Sequence, residues 1–240
     1  MLKQTVLITG ANKSIGFETV RRLGELGYKV WLGSRDPVRG EAAAQTLRDM
    51  GHDIRVLQID IASDDSVKAA AERVKQEDGR LDVLINNAGI LGDMSAPSET
   101  PLSTIKEVYE VNVFGPIRTT QAFLPLLKAS AHANIVMVSS GLGSLGWLSD
   151  PTNEFASINI LGYNSSKSAL NAVTLSFAKE LAASGIRVNA ADPGYTKTDF
   201  NHHSGYRTVE QAAEVIVRLA TLDRDGPTGG YFDENGSIPW

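Results

Sequence analysis

The stretch that decides the fold is TVLITGANKSIG, residues 5–16. It begins with a continuous apolar run, which is typical of a strand that is buried on both faces. Gly10 follows this run, and Ile15, Val20 and Leu23 then recur at helical spacing. The amino terminus of a helix presents unpaired backbone N–H groups and a positive dipole end, which favour a phosphate group. The stretch therefore predicts a strand, a glycine turn and a helix that together form a phosphate site.

The same alternation of short apolar runs and longer helical stretches continues along the chain. Predicted strands cover residues 5–9, 29–34, 54–60, 81–87, 134–140 and 186–193, with a weaker strand at 230–234. Predicted helices cover Ile15–Leu26, Val38–Met50, Asp64–Gln76, Leu102–Lys128, Tyr163–Ser184 and Thr208–Leu222. This alternation predicts an α/β fold, a Rossmann-type doubly wound parallel sheet of about seven strands with helices on both faces. Because no linker or internal repeat interrupts the pattern, we expect one domain over residues 1–240.

Composition narrows the class of protein and its partners. The chain has 240 residues, a net charge of -5 and no block of lysine or arginine, which argues against nucleic acid as the main partner. No apolar run approaches the ~18 residues of a membrane-spanning helix, and no charged-then-apolar leader precedes the first strand. The sequence contains no cysteine, which excludes disulfides, thiol catalysis and thiolate metal sites. We expect a cytoplasmic protein that binds neither nucleic acid nor membranes.

The glycine turn departs at one position from the usual dinucleotide-binding pattern. Gly10 allows a tight turn and Gly16 allows close packing of helix on strand, but Ser14 stands where a middle glycine would approach the phosphate. The serine hydroxyl can donate to a phosphate oxygen, and serine is unfavourable there only if the backbone requires a positive φ. Taken alone, the motif is also compatible with a plain turn between a strand and a helix.

Four motifs, in order along the chain, resemble those of the short-chain dehydrogenase/reductase family. They are TGANKSIG at 9–16, NNAG at 86–89, YNSSK at 163–167 and PG at 193–194. The match covers nearly the whole chain, so the sequence is identified as a member of this family. The segments SRDPVRGEAA at 34–43 and GPTGGYFDENGSIPW at 226–240 resemble its carbonyl-reductase-like members. The family usually has glycine at position 14, so the departure bears on coenzyme affinity and not on family membership.

The end of the second strand distinguishes the two nicotinamide coenzymes. An acidic residue there binds the ribose hydroxyls of NAD, whereas an arginine accommodates the 2′-phosphate of NADP. Asp36 has nearly the spacing of the acid, but Pro37 follows it, so we interpret Asp36 as the N-cap of the second helix. Arg35 then follows the strand, and the resemblance places Lys13 near the same phosphate. We therefore predict NADP(H), although both cations are also compatible with solvated surface charges.

The resemblance implies a longer set of coenzyme contacts at the ends of the strands. Among these, Asp60 and Ile61 would lie near the adenine, and Tyr195 and Thr196 would face the nicotinamide carboxamide. The full predicted set is Gly10, Asn12, Lys13, Ser14, Ile15, Gly16, Arg35, Asp60, Ile61, Asn87, Ala88, Gly89, Tyr163, Lys167, Pro193, Gly194, Tyr195 and Thr196.

A tyrosine and a lysine four residues apart predict the catalytic centre. A free tyrosine has a pKa of about 10 and is a weak acid for protonating a carbonyl oxygen. Lys167 lies one helical turn after Tyr163, so its positive charge is expected to favour the phenolate and lower the pKa of Tyr163. Tyr163 is then the acid for reduction and the base for oxidation. The resemblance implies that Lys167 also hydrogen-bonds the nicotinamide ribose.

Two further side chains complete the predicted catalytic set. A hydroxyl at the end of the fifth strand is expected to hydrogen-bond the substrate oxygen, and Ser139 and Ser140 point to opposite faces of that strand. The resemblance selects Ser140 and leaves Ser139 as a strand-end residue. It also matches Asn112 to an asparagine that supports a water relay to the lysine. Otherwise Asn112 would be an unsatisfied buried residue or an exposed one.

Two loops are candidates for the substrate pocket. Residues 141–162 separate Ser140 from Tyr163 by more than in many family members, and residues 195–207 follow the PG turn. The side chains that would wall an apolar pocket are Leu142, Leu145, Trp147, Leu148, Phe155, Tyr195, Phe200 and Tyr206. The first loop is also compatible with a surface cluster or a subunit contact. In carbonyl-reductase-like relatives an insertion here covers the surface of oligomer packing, so we expect a monomer or a small homo-oligomer.

Adjacent histidines raise the question of a metal ion. His202 and His203 follow Asp199, but neighbouring side chains in an extended segment point apart and no metal-ligand spacing supports them. We predict that they flank the substrate mouth and that the site holds no metal.

The sequence as a whole predicts an NADPH-dependent reductase that transfers hydride to an aldehyde, a ketone or a quinone, with an apolar small-molecule substrate. An alcohol dehydrogenase working in the oxidative direction would use the same residues. A catalytically idle NADP-sensing regulatory protein would share the fold, but it would have no need of Ser140, Tyr163 and Lys167 together.

Overall fold

A computed structural model describes residues 3–240 and contains one seven-stranded sheet, in which every strand pairs in parallel with its neighbours. The strands are β1 (Thr5–Ile8), β2 (Lys29–Ser34), β3 (Ile54–Gln58), β4 (Val83–Asn86), β5 (Asn134–Val138), β6 (Arg187–Ala191) and β7 (Tyr231–Phe232). Their order in the sheet is β3-β2-β1-β4-β5-β6-β7. The predicted Rossmann-type doubly wound sheet is therefore confirmed. The order reverses between β1 and β4, so a ligand crevice is expected at their carboxyl ends.

The helices cover both faces of the sheet. They are α1 (Ser14–Glu25), α2 (Pro37–Asp49), α3 (Asp64–Asp78), α4 (Leu102–Tyr109), α5 (Gly115–Lys128), α6 (Leu145–Ser149), α7 (Leu161–Leu181) and α8 (Val209–Ala220). Helices α1, α2 and α8 pack their apolar residues on one face of the sheet, and α3, α5 and α7 pack theirs on the other. Among residues 3–240, no helix combines the length and the apolar character that a bilayer crossing requires.

The ends of the elements differ from the predicted ones in a consistent way. The predicted strands at 5–9, 54–60, 134–140 and 186–193 are one to two residues too long at their carboxyl ends. The chain still hydrogen-bonds there, since the N–H of Ser139 donates to Ala191 at 2.8 Å, but it has begun to turn out of the sheet. These residues form the rim of the crevice, where polar side chains replace the apolar pattern.

The second helix begins as the sequence predicted. Asp36 is the N-cap of α2, and its Oδ1 accepts from the N–H groups of Val38 and Arg39 at 2.9 and 3.1 Å, with Pro37 in the first helical position. This carboxylate satisfies N–H groups that the first turn leaves without partners. The interpretation of Asp36 as a cap is therefore confirmed.

The predicted helix 102–128 is interrupted at its centre. A π-helical segment, Glu110–Phe114, separates α4 from α5 and contains Asn112. A π-helical turn widens the backbone and changes the direction of the side chains that follow, which is why such segments often occur at functional sites.

Candidate active site

The glycine turn brings the carboxyl ends of β1 and β4 together. Gly10 has a φ of 62°, and a Cβ placed on it would lie 2.9 Å from the Cα of Ala88. A Cβ on Gly16 would lie 2.6 Å from Nδ2 of Asn87, which donates to the carbonyl of Thr9 at 2.8 Å. Glycine is required at both positions because the two turns approach each other too closely for a side chain.

The same turn leaves an open helix end for an anionic group. Lys13 is the N-cap of α1 in an extended conformation, with a φ of -161°, and no side chain caps the first turn of the helix. The first N–H groups of α1 and the positive end of its dipole therefore lie at the carboxyl edge of the sheet. This open end, together with the two glycines, fits the pyrophosphate of a dinucleotide.

Ser14 adopts a backbone conformation that favours glycine. Its φ is 52°, in the left-handed region that L residues adopt at an energetic cost. The sequence left open whether this position requires a positive φ, and the structure shows that it does. The serine therefore carries local strain at the turn that faces the phosphate site.

We expect Ser14→Gly to raise the free energy of unfolding by about 1 kcal/mol, because glycine adopts a positive φ without strain. The greater freedom of glycine in the unfolded chain offsets part of this gain. Urea unfolding measures the effect. Ser176→Gly, in the interior of α7 and exposed, is the matched control and should lower stability by about 0.5 kcal/mol. A Ser14→Gly protein no more stable than its parent would contradict this account of the turn.

The end of β2 presents an arginine and no free acid. Arg35 directly follows β2, is exposed, and takes part in no ion pair among residues 3–240. The carboxylate of Asp36 is occupied by the cap of α2 and by Arg39, whose Nε lies 3.4 Å from Oδ2. Nζ of Lys13 pairs with Asp199 at 3.0 Å on the exposed surface, and its predicted contact with the phosphate stays a prediction. Arg35 is therefore the cation that remains available at this end of the crevice.

The other predicted coenzyme residues lie along the same rim. Those that are half-buried, and so within reach of a ligand, are Asn12, Ser14, Ile15, Asp60, Asn87, Ala88, Gly89 and Gly194. The buried members of the set are Ile61, Pro193 and Thr196. Thr196 Oγ1 donates to the carbonyl of Gly194 at 3.0 Å, which holds the turn after β6. Tyr195 is 43% exposed, and its hydroxyl is bonded to Ser204 at 2.6 Å.

Tyr163 and Lys167 lie on one face of α7 in its first two turns. Both are buried, with 8% and 4% of their surfaces exposed. The Lys167 amine donates to the carbonyl of Val138 at 2.7 Å, and it lies 5.6 Å from the centre of the Tyr163 ring. The i, i+4 spacing therefore brings the two groups together at the end of β5, as predicted from the sequence.

Burial dominates the titration of both groups. Burial raises the pKa of Tyr163 above its ordinary value, the hydrogen bond with Ser140 lowers it, and the charge of Asp192 raises it further. Burial lowers the pKa of the Lys167 amine to about 8, against the opposing effect of Asp192. The net direction for the pKa of Tyr163 is upward because desolvation of the phenolate is the largest effect, and a lowering contribution from the Lys167 charge stays a prediction.

The two serines after β5 have separate partners. The Ser140 hydroxyl interacts with the hydroxyl of Tyr163, and Ser140 is half-buried at the rim. Ser139 is buried, and its hydroxyl donates to Oδ1 of Asn171 at 2.6 Å. Ser140 is therefore the serine next to Tyr163, and Ser139 is a buried residue that hydrogen-bonds the helix α7 through Asn171.

Asn112 ties the loop after β4 to the catalytic helix. Its Oδ1 accepts from the N–H of Ile90 at 2.9 Å, and its Nδ2 donates to the Ile90 carbonyl at 2.9 Å and to Ser166 at 3.1 Å. Gly89 lies beside it, since a Cβ there would be 3.3 Å from Oδ1 of Asn112 and 3.7 Å from Nζ of Lys167. The buried amide is therefore satisfied by the protein and joins the loop after β4 to α7. Its support of a water relay to Lys167 stays a prediction.

The two candidate substrate loops contribute aromatic side chains to the site. In the second loop, the ring of Phe200 packs on that of Tyr163 with centroids 5.6 Å apart. In the first loop, Trp147 and Phe155 pack at 5.5 Å, and both lie within 3.0 Å of the position that a Cβ on Gly141 would occupy. Not all of the predicted wall faces inward, because Leu145 is 64% exposed on α6.

The adjacent histidines lie in a strained segment of the second loop. His202 and His203 have φ values of 53° and 59°, and Nε2 of His203 lies 3.0 Å from Oδ1 of Asp199. Among residues 3–240, no three histidine or acidic residues gather as metal ligands would.

Sequence reasoning missed two residues that lie against Ser140. Asp192 follows β6 directly, is 4% exposed, and accepts from the N–H of Gly194 at 2.9 Å. Burial raises its pKa to about 6, while the N–H groups of Gly194 and Gly141 lower it. Tyr231, in β7, is 1% exposed and donates its hydroxyl proton to the carbonyl of Ser140. Asp192 could have been predicted from the sequence, because it is a polar residue directly after a strand. No sequence pattern identifies Tyr231, which lies inside the short strand β7.

A sequence model of the short chain dehydrogenase family matches residues 4–207. The chain is 39% identical over 225 residues to the short-chain dehydrogenase anuI of Penicillium roqueforti, with 91% of this chain and 89% of that one covered. It is 35% identical to the (+)-neomenthol dehydrogenase of Arabidopsis thaliana, with 94% of each chain covered.

A solved structure agrees in both fold and extent. The NADPH-bound carbonyl reductase from chicken fatty liver has a TM-score of 0.89 to this chain and 29% identity, and the match covers 100% of both chains. The sheet, the glycine turn and the motif order therefore agree with the family match. The chain belongs to the short-chain dehydrogenase family of nicotinamide-dependent oxidoreductases, and it is a carbonyl-reductase-like member.

Proposed function

We propose that this protein is an NADPH-dependent reductase that converts an aldehyde or a ketone to the corresponding alcohol, or a quinone to its hydroquinone. The observation that carries the proposal is the meeting of the Tyr163 and Ser140 hydroxyls beside the buried Lys167 amine, at the rim that also holds the glycine turn. A proton donor, a second hydroxyl and a cation at one point are what the reduction of a carbonyl group requires.

Arg35 supports the choice of NADPH over NADH. It is exposed, in no ion pair among the described residues, and directly follows β2, where an arginine would accommodate the 2′-phosphate of the adenosine ribose. Its guanidinium presents a fork of donors that matches a phosphate group. The solved carbonyl reductase that this chain resembles has NADPH bound. The pyrophosphate would lie at the glycine turn and the open end of α1, and the nicotinamide between Lys167 and the turn at Pro193.

The chain's own residues supply the proton and stabilise the charge, and the bound coenzyme supplies the hydride. As the carbonyl carbon accepts hydride, the Ser140 hydroxyl donates a hydrogen bond to the oxygen and shares its developing negative charge. Tyr163 transfers its hydroxyl proton to that oxygen, which completes the alcohol. The Lys167 ammonium then stabilises the tyrosine phenolate until a proton from solvent restores it.

The titration of Tyr163 favours the reductive direction over the oxidative one. Burial raises the pKa of Tyr163, so the phenol holds its proton at neutral pH, which is the form that reduction requires. The higher pKa also makes the phenol a weaker donor, and the Lys167 charge offsets this by stabilising the phenolate that proton transfer forms. Oxidation of an alcohol needs the phenolate as the base, and this form is scarce under the same conditions. We therefore place the alcohol dehydrogenase second.

The substrate that we propose is apolar and small. Phe200 covers one side of Tyr163, and Trp147 and Phe155 lie beside the Ser140 loop, so residues 141–162 and 195–207 would contact it. Steady-state NADPH oxidation with a panel of aldehydes, ketones and quinones tests the function. Turnover of apolar carbonyl compounds supports the proposal. Coenzyme binding without turnover of any compound or alcohol would favour the sensor, and faster oxidation of alcohols at neutral pH would favour the dehydrogenase.

We expect Arg35→Asp to weaken NADPH binding and to shift the preference toward NADH by about tenfold or more. The aspartate repels the 2′-phosphate and can accept from the ribose hydroxyls of NADH. The ratio of kcat/KM for the two coenzymes measures the shift.

Lys179→Asp is the matched control for this charge reversal. Lys179 is exposed in the last turn of α7, at the opposite end of the helix from Tyr163. Its reversal should leave the coenzyme ratio unchanged. An unchanged ratio in Arg35→Asp as well would refute the assignment of Arg35.

A further inference from the structure

The peptide group that joins Ser140 to Gly141 is contacted on both sides by buried side chains. Its carbonyl accepts the hydroxyl proton of Tyr231, and the same oxygen accepts from the N–H of Gly143 at 2.7 Å. Its N–H interacts with the carboxylate of Asp192. A Cβ on Gly141 would lie 3.0 Å from Oδ2 of Asp192, which confirms how close the carboxylate is. The peptide group is thus held at its carbonyl by two hydrogen bonds, and it has the Asp192 carboxylate close to its N–H.

The two side chains are themselves held in place. Asp192 accepts from Gly194 at 2.9 Å, and its backbone N–H donates to the carbonyl of Phe232 at 2.8 Å. The Tyr231 ring stacks on Trp240 with centroids 5.3 Å apart. These contacts leave both groups little freedom, because each is buried and bonded on more than one side.

The residues around this peptide extend the support to the catalytic helix. The hydroxyl of Tyr231 also interacts with the side chains of Ser139 and Asn171. Nδ2 of Asn171 donates to the carbonyl of Gly143 at 3.1 Å, at the end of the same short loop. Asn171 lies one helical turn after Lys167 on α7. The helix that carries Tyr163 and Lys167 therefore also carries the side chain that holds the loop after Ser140.

Ser140 needs such support because it lies outside regular structure. Val138 ends β5, and Ser140 is the N-cap of a short 3-10 turn that begins at Gly141, where its hydroxyl accepts from the N–H of Leu142 at 3.3 Å. Its backbone therefore lies between the strand and this single turn. Its φ and ψ are -166° and 145°. A rotation of the peptide that follows would move the backbone and with it the hydroxyl, and displacements of about 1 Å at a reacting centre lower rates by up to about a hundredfold.

We propose that Tyr231 and Asp192 are positioning residues that fix the peptide group after Ser140 and thereby aim its hydroxyl at the substrate oxygen. Neither residue touches the reacting atoms. The proposal rests on the role of Ser140 in the proposed function. It assigns a role in catalysis to β7, the short strand at the edge of the sheet.

The test is a double-mutant cycle between Tyr231→Phe and Ser140→Ala, measured as kcat and KM with a carbonyl compound that the enzyme reduces. Tyr231→Phe removes only the hydroxyl and should lower kcat by about tenfold with the KM for NADPH unchanged. In the Ser140→Ala background the same change should have almost no further effect, because the group that it positions is gone. Tyr28→Phe, half-buried at the start of β2, is the matched control and should leave kcat unchanged.

The outcomes separate the two proposals. If Ser140→Ala alone leaves turnover intact, the role of Ser140 in the proposed function fails. If Ser140→Ala lowers turnover but Tyr231→Phe lowers it equally in both backgrounds, the role of Tyr231 is general stability and the positioning proposal is overturned. Asp192→Asn provides a second cycle, since the amide keeps the size of the side chain. Asp192→Asn should lower kcat in the parent enzyme and have almost no further effect in Ser140→Ala. An equal loss of kcat in both backgrounds would overturn the role of Asp192.

Discussion

Replacing Tyr163 by phenylalanine is expected to lower kcat by about 10²- to 10⁴-fold while NADPH still binds. The change removes the hydroxyl that would protonate the carbonyl oxygen, and it keeps the ring that packs on Phe200. Because the ring stays, the fold and the coenzyme site should remain intact. Steady-state turnover with a carbonyl compound measures the loss, and fluorescence titration with NADPH measures binding.

The control for this variant is a tyrosine outside the site. Tyr109→Phe removes a hydroxyl at the end of α4 and should leave turnover unchanged. A Tyr163→Phe enzyme with near-normal kcat would mean that another group protonates the product. The mechanism would then be wrong, although the coenzyme assignment would stand.

Lys167→Met is expected to lower kcat by about a hundredfold or more and to weaken coenzyme binding. Methionine fills much of the buried volume, but it has no charge to stabilise the phenolate and no donor for the nicotinamide ribose. It also leaves the carbonyl of Val138 without the amine that now lies 2.7 Å away. Lys179→Met, on the same helix but exposed, is the matched control and should change neither quantity.

The pH dependence of the same residue gives a second readout. Burial lowers the pKa of Lys167 to about 8, so the amine loses its positive charge as the pH rises through that value. We expect kcat/KM of the parent enzyme to fall above a pH of about 8, and this limb to be missing in Lys167→Met. A parent enzyme with constant kcat/KM well above this pH would contradict the electrostatic role of Lys167.

Much of the site follows from where polar residues stand along the sequence. The carboxyl ends of parallel strands meet at one edge, so Gly10, Asn87, Ser140 and Gly194 could be placed together from the strand pattern alone. The cap at Asp36 could be predicted because proline in the next position is a local signal. These features depend on a few neighbouring residues, which is why they are readable without coordinates.

Other features depend on contacts that no local pattern encodes. The positive φ of Ser14 has no signal in the residue itself, because serine at this position is compatible with either sign of φ. The π-helical turn at Asn112 breaks a helix whose apolar spacing predicts a continuous one. The raised pKa of Tyr163 reflects burial by residues distant in the sequence, including Phe200. Tyr231 reaches Ser140 across 91 positions of the chain.

The central claim is that the Tyr163 hydroxyl protonates a carbonyl group held next to the coenzyme. A crystal structure of the complex with NADPH and a carbonyl inhibitor tests it most directly, through the distance between the Tyr163 hydroxyl oxygen and the inhibitor's carbonyl oxygen. We predict a separation of about 2.6–3.2 Å, with the Lys167 amine directed toward the nicotinamide ribose. A Tyr163 hydroxyl beyond hydrogen-bonding reach of that oxygen, or a Lys167 amine directed into solvent, would contradict the account.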